Sequence, residues 1–361
     1  MSLRLEPTTF DQRDAGERGR AHGELWREPI RELVEIRTAL CVDKGGFADR
    51  DQLLAIAQLH LPMLAAFDDA LHRELLGIAE AAGVSPAELV VLNHYSDLRD
   101  VPPSVLDPDD PGGCTAIYVP GEHGALLGQT WDMHATAEPY VRLIRIAPSG
   151  GDDEQVCFTL TGCLGMAGLG SRGVAVTINN LSSTDGRVGV PWPALVRAML
   201  AASDAKAAYA RLLQTPFSSG HHYMIADGND FFGVESSGEL KVLTQVGARA
   251  AHLHTNHCFD PVLRTRERVP AGSTSFARLD MASTLYVQQR PRDIDGLWAL
   301  LGSHEGYPRS ICSHQHELDR NPSSSKTCGR LVMEPTSGRM RAAAGCSREG
   351  EPVDVQLARS V

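Results

Sequence analysis

The chain has 361 residues, of which 42% are hydrophobic and 22% are charged, and this balance is typical of a globular protein. Its net charge is −11, from 45 acidic and 34 basic residues, and no Lys/Arg-rich run is present. These features argue against a protein that binds nucleic acid and favour a small-molecule substrate.

The first residues, Met1–Pro7, contain no apolar core of signal-peptide length, and no apolar run approaches the length of a membrane span. We therefore expect a cytoplasmic protein with neither a membrane nor a nucleic-acid partner. The eight cysteines have no paired C-x-x-C spacing. In a reducing compartment most of them are expected to be small, buried hydrophobic residues.

From Asp11 to Leu92, apolar residues recur at spacings of three and four, which predicts helices that Pro29 and Pro62 kink or divide. The run Ser85–Glu88 predicts the start of another helix, because it combines a capping Ser, a Pro at the first helical position and an acid in the first turn. The segment Asp97–Pro111 contains four prolines and five aspartates and predicts an exposed linker without regular structure.

After Gly113 the pattern changes to short strands, separated by helices. The predicted strands are Cys114–Val119, Ala125–Thr130, Val141–Ile146, Gln155–Thr161, Gly173–Asn179, His222–Asp227, Phe231–Glu235, Leu240–Thr244, Ala250–Thr255, Ser310–His314, Thr327–Glu334 and Arg339–Ala344. The predicted helices are Trp192–Ala201, Ser203–Leu213, Ser275–Gln289 and Arg292–Leu301. Sequential strands, many apolar on both faces, indicate an α+β fold in which two antiparallel sheets stack inside helical layers.

Cys114 stands where the proline-rich linker meets the first of these strands. Gly112 and Gly113 precede it, and glycines let a nucleophile approach the preceding carbonyl closely. If Cys114 became the first residue of a new chain, its α-amine, with a pKa of about 7.7–8.0, would accept the proton of a thiol with a pKa of about 8.5. One residue would then supply both the nucleophile and the base.

Several motifs around Cys114 occur in a recognisable order. They are Leu92–Leu98, Gly113-Cys114-Thr115, Gly128–Asp132, Gly168–Leu181, His254-Thr255-Asn256-His257 and the Ser-rich, Arg-containing segment Ser273–Leu279. In this order the chain resembles the acyl-coenzyme A:6-aminopenicillanic acid acyltransferase family, also called the C45 peptidases, within the N-terminal nucleophile hydrolases. The resemblance spans about residues 85 to 315.

The resemblance implies a four-layer αββα sandwich made as a precursor and cut between Gly113 and Cys114. Residues 1–113 would form a helical α-chain that ends in the linker, and residues 114–361 the β-chain with the catalytic core. Cys114 would be the nucleophile, with its own amine as the base. Asp132 would hold that amine or the thiol, and Asn256 would donate to the oxyanion.

The resemblance also suggests a substrate pocket lined by Trp131, His134, His257 and Arg309. Met133 and His134 stand where relatives often have an aromatic residue, and Cys258 follows His257 in place of a bulky apolar residue. Substrate identity is therefore not transferred. No cofactor is expected, although a coenzyme A thioester is a possible substrate beside a small amide.

Other interpretations of these residues remain open. Cys114 could stay internal and use a histidine as its base, or the chain could be a ligand-binding protein without catalysis. His252 and His254 share a face of a predicted strand, and with His257 and Cys258 they form a dense set of metal-ligand types. A zinc site there would need ligands from elsewhere, so hydrogen-bonded histidines are favoured and no metal is expected.

Overall fold

The computed structural model describes residues 3–102, 113–149, 153–314 and 324–358. The predicted linker, Asp97–Pro111, therefore lies mostly outside the described residues, because residues 103–112 are not among them. The helices are α1 (Ala15–Leu25), α2 (Arg27–Gly45), α3 (Arg50–Gln58), α4 (His60–Phe67), α5 (Asp69–Ala82), α6 (Pro86–Leu98), α7 (Trp192–Leu200), α8 (Ala205–Gln214), α9 (Pro261–Arg264), α10 (Ser275–Gln289) and α11 (Ile294–Leu301), with a 3-10 helix at Ala135–Tyr140.

The N-terminal helices begin where the sequence indicates. Pro29 and Pro62 each lie in the first turn of a helix, α2 and α4, so the prolines separate helices as predicted. At the start of α6, the Ser85 hydroxyl accepts from the Glu88 backbone N–H, and the Glu88 carboxylate accepts from the Ser85 backbone N–H. This reciprocal capping box fixes the first turn of the helix.

The strands form two large sheets and one short pair. They are β1 (Leu3–Arg4), β2 (Pro7–Phe10), β3 (Thr115–Gly121), β4 (Gly124–His134), β5 (Val141–Ile146), β6 (Gln155–Leu160), β7 (Ala167–Gly170), β8 (Ala175–Leu181), β9 (Gly220–Ala226), β10 (Phe231–Ser236), β11 (Lys241–Val246), β12 (His252–His254), β13 (Ser325–Glu334), β14 (Arg339–Ala344), β15 (Gly350–Glu351) and β16 (Val353–Gln356).

One sheet has eight strands in the order β11-β10-β9-β8-β7-β6-β5-β2, and the other has six in the order β12-β3-β4-β13-β14-β16. Neighbouring strands in both sheets run antiparallel except β2, which lies parallel to β5 at one edge. The short pair β1–β15 is also parallel.

Three separate apolar cores show that the sheets stack between helices. Between the two sheets, the ring of Tyr118 on β3 stacks on Phe231 of β10 with centroids 4.0 Å apart. A second core joins the outer face of the eight-stranded sheet to α7 and α8, and a third joins the six-stranded sheet to α10 and α11. The predicted four-layer αββα architecture is confirmed.

Helices α2, α5 and α6 share the core that lies between the sheets. Asn93 in α6 connects them to the eight-stranded sheet, because its side-chain amide donates to the Gly162 carbonyl at 2.9 Å and accepts from the Leu164 backbone N–H at 2.9 Å. All eight cysteines are buried, as expected for most of them, and none forms a disulfide.

The predicted strand Ser310–His314 is wrong. The residues from 303 to 314 form turns, with backbone hydrogen bonds from Tyr307 to His304 and from Arg309 to Gly306. Within the predicted strand, the Cys312 backbone N–H donates to the Ser303 carbonyl at 3.0 Å, so it closes a loop instead of joining a strand ladder. Five short strands of two to four residues were not predicted: β1, β2, β7, β15 and β16.

No single helix among the described residues is long and apolar enough to cross a membrane. One pair of helices, α5 and α6, passes the same test only when the two are taken together across their bend of 116°.

A buried charge cluster holds α1, α5 and α7 together. The Glu74 carboxylate binds the Arg18 guanidinium at 2.7 Å and the Arg197 guanidinium at 2.9 Å, and all three side chains are shielded from solvent. Burial acts to raise the pKa of Glu74, but Arg197 and Arg18 outweigh it and lower this pKa to about 2.

We expect Glu74→Ala to lower the free energy of unfolding by about 3–5 kcal/mol, because it leaves two buried guanidinium groups without their anion. Urea unfolding at pH 7 measures this, with Glu80→Ala on the exposed side of α5 as the control. Because the folded pKa of Glu74 is depressed, its contribution is present above about pH 4.5 and is lost as the pH falls through 2. Equal stability of the two variants at pH 7 would contradict this account.

Candidate active site

Cys114 is buried at the residue immediately before β3. Its carbonyl oxygen accepts from the Asn179 side-chain amide at 3.0 Å and from Arg278 Nη1 at 2.7 Å. The next residue is also fixed, because the Thr115 backbone N–H donates to Thr130 Oγ1 at 3.1 Å. The backbone on the C-terminal side of Cys114 is thus held from both sheets and from α10.

Gly113 lies against the side chain of Asn256. Its φ is +151°, and a Cβ at this position would lie 2.0 Å from Asn256 Oδ1, far inside a van der Waals contact. A residue with a side chain would displace Asn256 or move the peptide that precedes the thiol. The glycine therefore lets the Gly113–Cys114 peptide approach Asn256 closely.

Arg278 is the residue of the site that the sequence interpretation missed. It extends from α10, is 1% exposed and donates through Nη1 to the Cys114 carbonyl and to Thr115 Oγ1, and through Nη2 to Asn256 Oδ1 at 2.9 Å. A planar guanidinium can make this set of contacts, whereas an ammonium presents a single charge. A signal was present, since Arg278 falls within the segment Ser273–Leu279 that carried part of the resemblance.

Asn256 is held from α10 on both sides. Its backbone N–H donates to Ser275 Oγ at 2.8 Å, and Arg278 binds its side-chain oxygen. The side-chain nitrogen of Asn256 donates to the Asn180 carbonyl at 2.9 Å, which leaves its second N–H for another acceptor. His257 also contacts Ser275, with Nδ1 2.7 Å from Oγ, and its ring stacks on Phe276.

Asp132 lies on β4 opposite Thr327 of β13. Its carboxylate accepts from Thr327 Oγ1 at 2.7 Å, and Thr327 Oγ1 in turn accepts from the Ser313 backbone N–H at 2.9 Å. Burial raises the pKa of Asp132 to about 7, although the Arg278 guanidinium opposes the shift.

The Cys114 thiol is adjacent to Asp132. Burial and the Asp132 carboxylate raise the pKa of Cys114 to about 12, while the Asp132 backbone N–H opposes the shift by hydrogen bonding to the sulfur. A thiol with this pKa is protonated at neutral pH, so it needs a base to become a nucleophile. Within the described ranges, no histidine nitrogen hydrogen-bonds to this thiol.

We expect Asp132→Asn to stabilise the uncleaved chain above pH 7. The folded pKa of Asp132 exceeds the ordinary value of 3.8, so the aspartate chain loses stability as the pH rises from about 4 to about 7. In the Asp132→Asn variant the asparagine still accepts from Thr327 and carries no charge. The free energy of unfolding of this variant at pH 8 is therefore expected to exceed that of the chain with Asp132 by on the order of 3 kcal/mol. Urea unfolding of both chains in a Cys114→Ala background measures this, and identical pH profiles would refute the assignment.

The other predicted pocket residues occupy different places. Trp131 is buried between the sheets, with its ring edge towards Phe158, whereas His134 packs against Tyr95. Burial, with Arg37 and Arg99 nearby, keeps the pKa of His134 well below its ordinary value, so this ring is neutral. Arg309 is exposed, and within the described ranges its side chain has no hydrogen bond to the groups around Cys114.

The histidines near β12 are bound to protein groups. His254 Nε2 contacts the Glu235 carboxylate at 2.7 Å, and its Nδ1 contacts the Thr255 carbonyl. His252 Nε2 lies 3.1 Å from His222 Nε2, and His222 Nδ1 lies 3.2 Å from Asn179 Oδ1. His252 and His222 are therefore linked to Asn179, whose side-chain amide donates to the Cys114 carbonyl.

The structure thus has Cys114 immediately before β3 of an αββα sandwich, with the side chains of Asp132, Asn256 and Arg278 around it. Sequence comparison agrees with the motifs. The chain is 25% identical over 301 residues to acyl-coenzyme A:6-aminopenicillanic-acid-acyltransferase, 40 kDa form, from Emericella nidulans, covering 81% of each protein. The resemblance inferred from the motifs is thus confirmed, although no family model matches the chain.

The comparison with solved structures also found similar chains. Penicillin V acylase from Agrobacterium tumefaciens matches at 11% identity and a TM-score of 0.40, over 68% of this chain and 86% of the acylase. A mutant form of conjugated bile acid hydrolase from Clostridium perfringens matches at 10% identity and a TM-score of 0.43, over 69% of this chain and 93% of the hydrolase.

Proposed function

We propose that this protein is a self-processing cysteine enzyme that cleaves or transfers the acyl group of a small amide or acyl thioester. The observation that supports the proposal most is that the Arg278 guanidinium donates hydrogen bonds to both the Cys114 carbonyl and the Asn256 side chain. It brings the predicted nucleophile and the predicted oxyanion donor to one place, beside the Gly113–Cys114 peptide. The similarity to an acyltransferase supports the same class of reaction.

Processing would begin when Cys114 Sγ attacks the Gly113 carbonyl carbon. A C–S bond forms, the peptide C–N bond breaks and the thiol proton passes to the leaving nitrogen, which gives a thioester on the sulfur and a free α-amine. Water then hydrolyses the thioester, leaving a carboxylate on Gly113 and a thiol on Cys114. The Asn256 amide has one N–H that is not used by the Asn180 carbonyl, and this N–H would donate to the oxyanion that forms on Gly113.

Turnover would reuse the same groups. The new α-amine accepts the thiol proton, the thiolate attacks the substrate carbonyl, and the amine returns the proton to the leaving group. An acyl-thioester on Cys114 is then released to water or to another amine. Asp132, beside the thiol, would hold the α-ammonium, and that positive charge would lower the pKa of the carboxyl from its raised value.

Trapping the acyl-enzyme tests this function directly. Processed protein is mixed with a panel of N-acyl amides and acyl-coenzyme A thioesters, quenched in acid and digested. The mass of the peptide that begins at Cys114 is then measured by mass spectrometry. We expect one panel member to add its acyl mass to that peptide. If no acyl donor modifies Cys114 while substrate is still consumed, the nucleophile is a different group. Binding without consumption would favour a ligand-binding protein.

A further inference from the structure

A second cluster of reactive side chains lies between α11 and the turn that follows β14. It contains His304, Cys312 and His314 from the turns between residues 303 and 314, together with Cys346. One ligand atom from each of His304, His314 and Cys346 lies within 4.8 Å of the others. The Cys312 sulfur lies outside this group of three but is 3.7 Å from the Cys346 sulfur.

The distance between the two sulfurs is close to that in a tetrahedral metal centre. Two thiolates bound to zinc at about 2.3 Å are about 3.8 Å apart along the edge of a tetrahedron. The distance between the Cys312 and Cys346 sulfurs, 3.7 Å, is close to this value. His304 Nε2 lies 3.0 Å from the Cys346 sulfur, about half an ångström inside the corresponding nitrogen–sulfur edge. To bind one ion, the Cys312 sulfur and the two histidine nitrogens would have to move closer together by side-chain rotation.

Hydrogen bonds around His304 direct the correct nitrogen to the centre. The Ser347 hydroxyl donates its hydrogen to the Gly302 carbonyl at 2.8 Å, so it can only accept from His304 Nδ1, which lies 3.4 Å away. The Nδ1 atom of His304 therefore carries the proton, and the lone pair of Nε2 faces Cys346. Metal-binding histidines typically have such a partner on the second ring nitrogen.

The other ligands are similarly arranged. Cys312 and Cys346 are buried, and the Ser347 backbone N–H donates to the Cys312 sulfur at 3.3 Å. The His314 ring is stacked on Tyr307, and its Nδ1 atom is shielded from solvent without a hydrogen-bond partner in the described part of the chain. An unpartnered buried nitrogen is costly unless another group, such as a metal ion, binds it.

We propose that His304, Cys312, His314 and Cys346 bind one Zn²⁺ ion in a Cys2His2 site. Two soft thiolates and two imidazoles in a closed tetrahedron favour zinc over calcium or magnesium, which bind oxygen. Two thiolates neutralise the ion, so the buried site carries no net charge. With four protein ligands it has no open position, which indicates a structural role and not a catalytic one.

The site would hold the turns from 303 to 314 against the strand that carries Thr327. Ser313, between two of the ligands, donates to Thr327, which in turn donates to Asp132. The ion would thus fix the outer layer of contacts around Asp132. The metal site itself does not depend on the proposed function, and its test does not use activity.

The test is the metal content of the full chain, expressed without a polyhistidine tag, purified without chelators and measured by inductively coupled plasma mass spectrometry. We expect one zinc per chain in the wild type, and loss of that zinc in Cys346→Ser and His304→Ala. The control variants Cys258→Ser and His252→Ala, in the other histidine cluster, are expected to retain it. Replacement by Co²⁺ should give the visible absorption bands of tetrahedral cobalt with two thiolate ligands.

Two results would overturn the proposal. One is wild-type protein without stoichiometric zinc that also takes up none when it is refolded with Zn²⁺. The other is an intact mass lower by two hydrogens, with Cys312 and Cys346 joined as a disulfide in freshly purified protein. Because metal content is measured on the folded wild type, a variant that fails to fold does not decide the outcome.

Discussion

Cys114→Ala is expected to leave the protein as one uncleaved chain without acyl-transferring activity. The variant lacks the sulfur that would attack the Gly113 carbonyl, and without cleavage no α-amine is formed to serve as the base. Loss of both groups is expected to reduce turnover by about 10⁴-fold or more. Denaturing gel electrophoresis and intact-mass measurement report cleavage, and the acyl donor found with the substrate panel reports turnover.

Cys41→Ala is the matched control. Cys41 is also a buried free thiol, but it lies within α2, where alanine is a favourable helix residue. This variant is expected to be cleaved and to turn over substrate like the wild type. A Cys114→Ala chain that is still cut between residues 113 and 114 would show that an external protease or another nucleophile performs the cleavage.

Arg278→Lys is expected to slow processing by about 100-fold or more, because lysine lacks the two-nitrogen fork that binds the Cys114 carbonyl and Thr115 through Nη1 and Asn256 through Nη2. The oxyanion donor would then lose its fixed position relative to the thiol. Pulse labelling of newly made protein, followed by gel separation of precursor and product, measures the rate. We further expect Arg278→Met to destabilise the precursor by about 3 kcal/mol, since it leaves buried acceptors without a donor.

Arg309→Lys tests whether the arginine of the pocket is Arg278, as the structure indicates, or Arg309, as the resemblance suggested. Arg309 is exposed, so its replacement by lysine is expected to leave processing unchanged. If Arg309→Lys slowed processing while Arg278→Lys did not, the pocket arginine would be Arg309, and the contacts of Arg278 would be purely structural.

Much of the fold could be predicted because the local signals in the sequence agree with the pattern of burial in the structure. The capping box at Ser85, the breaks near Pro29 and Pro62 and the apolar faces of the central strands are all visible in the sequence. Strands that are buried on both faces also indicate two stacked sheets under helices. Ordered motifs around Cys114 were enough to infer the resemblance that the sequence comparison confirmed.

The remaining features depend on contacts between distant residues. Arg278 occupies one face of α10, and nothing local indicates that it reaches Cys114, 164 residues earlier in the chain. The segment around Cys312 has the composition of a strand, but it folds into turns that place His304 and Cys312 beside Cys346. The parallel edge strand β2 is likewise fixed only by pairing with β5.

The central claim is that the chain cuts itself between Gly113 and Cys114. N-terminal sequencing of purified wild-type protein, combined with intact-mass measurement, tests it most directly. We predict two chains, one of which begins Cys-Thr-Ala-Ile-Tyr, with masses that sum to the precursor plus one water. A single persistent chain, or a new terminus at any residue other than Cys114, would contradict the account.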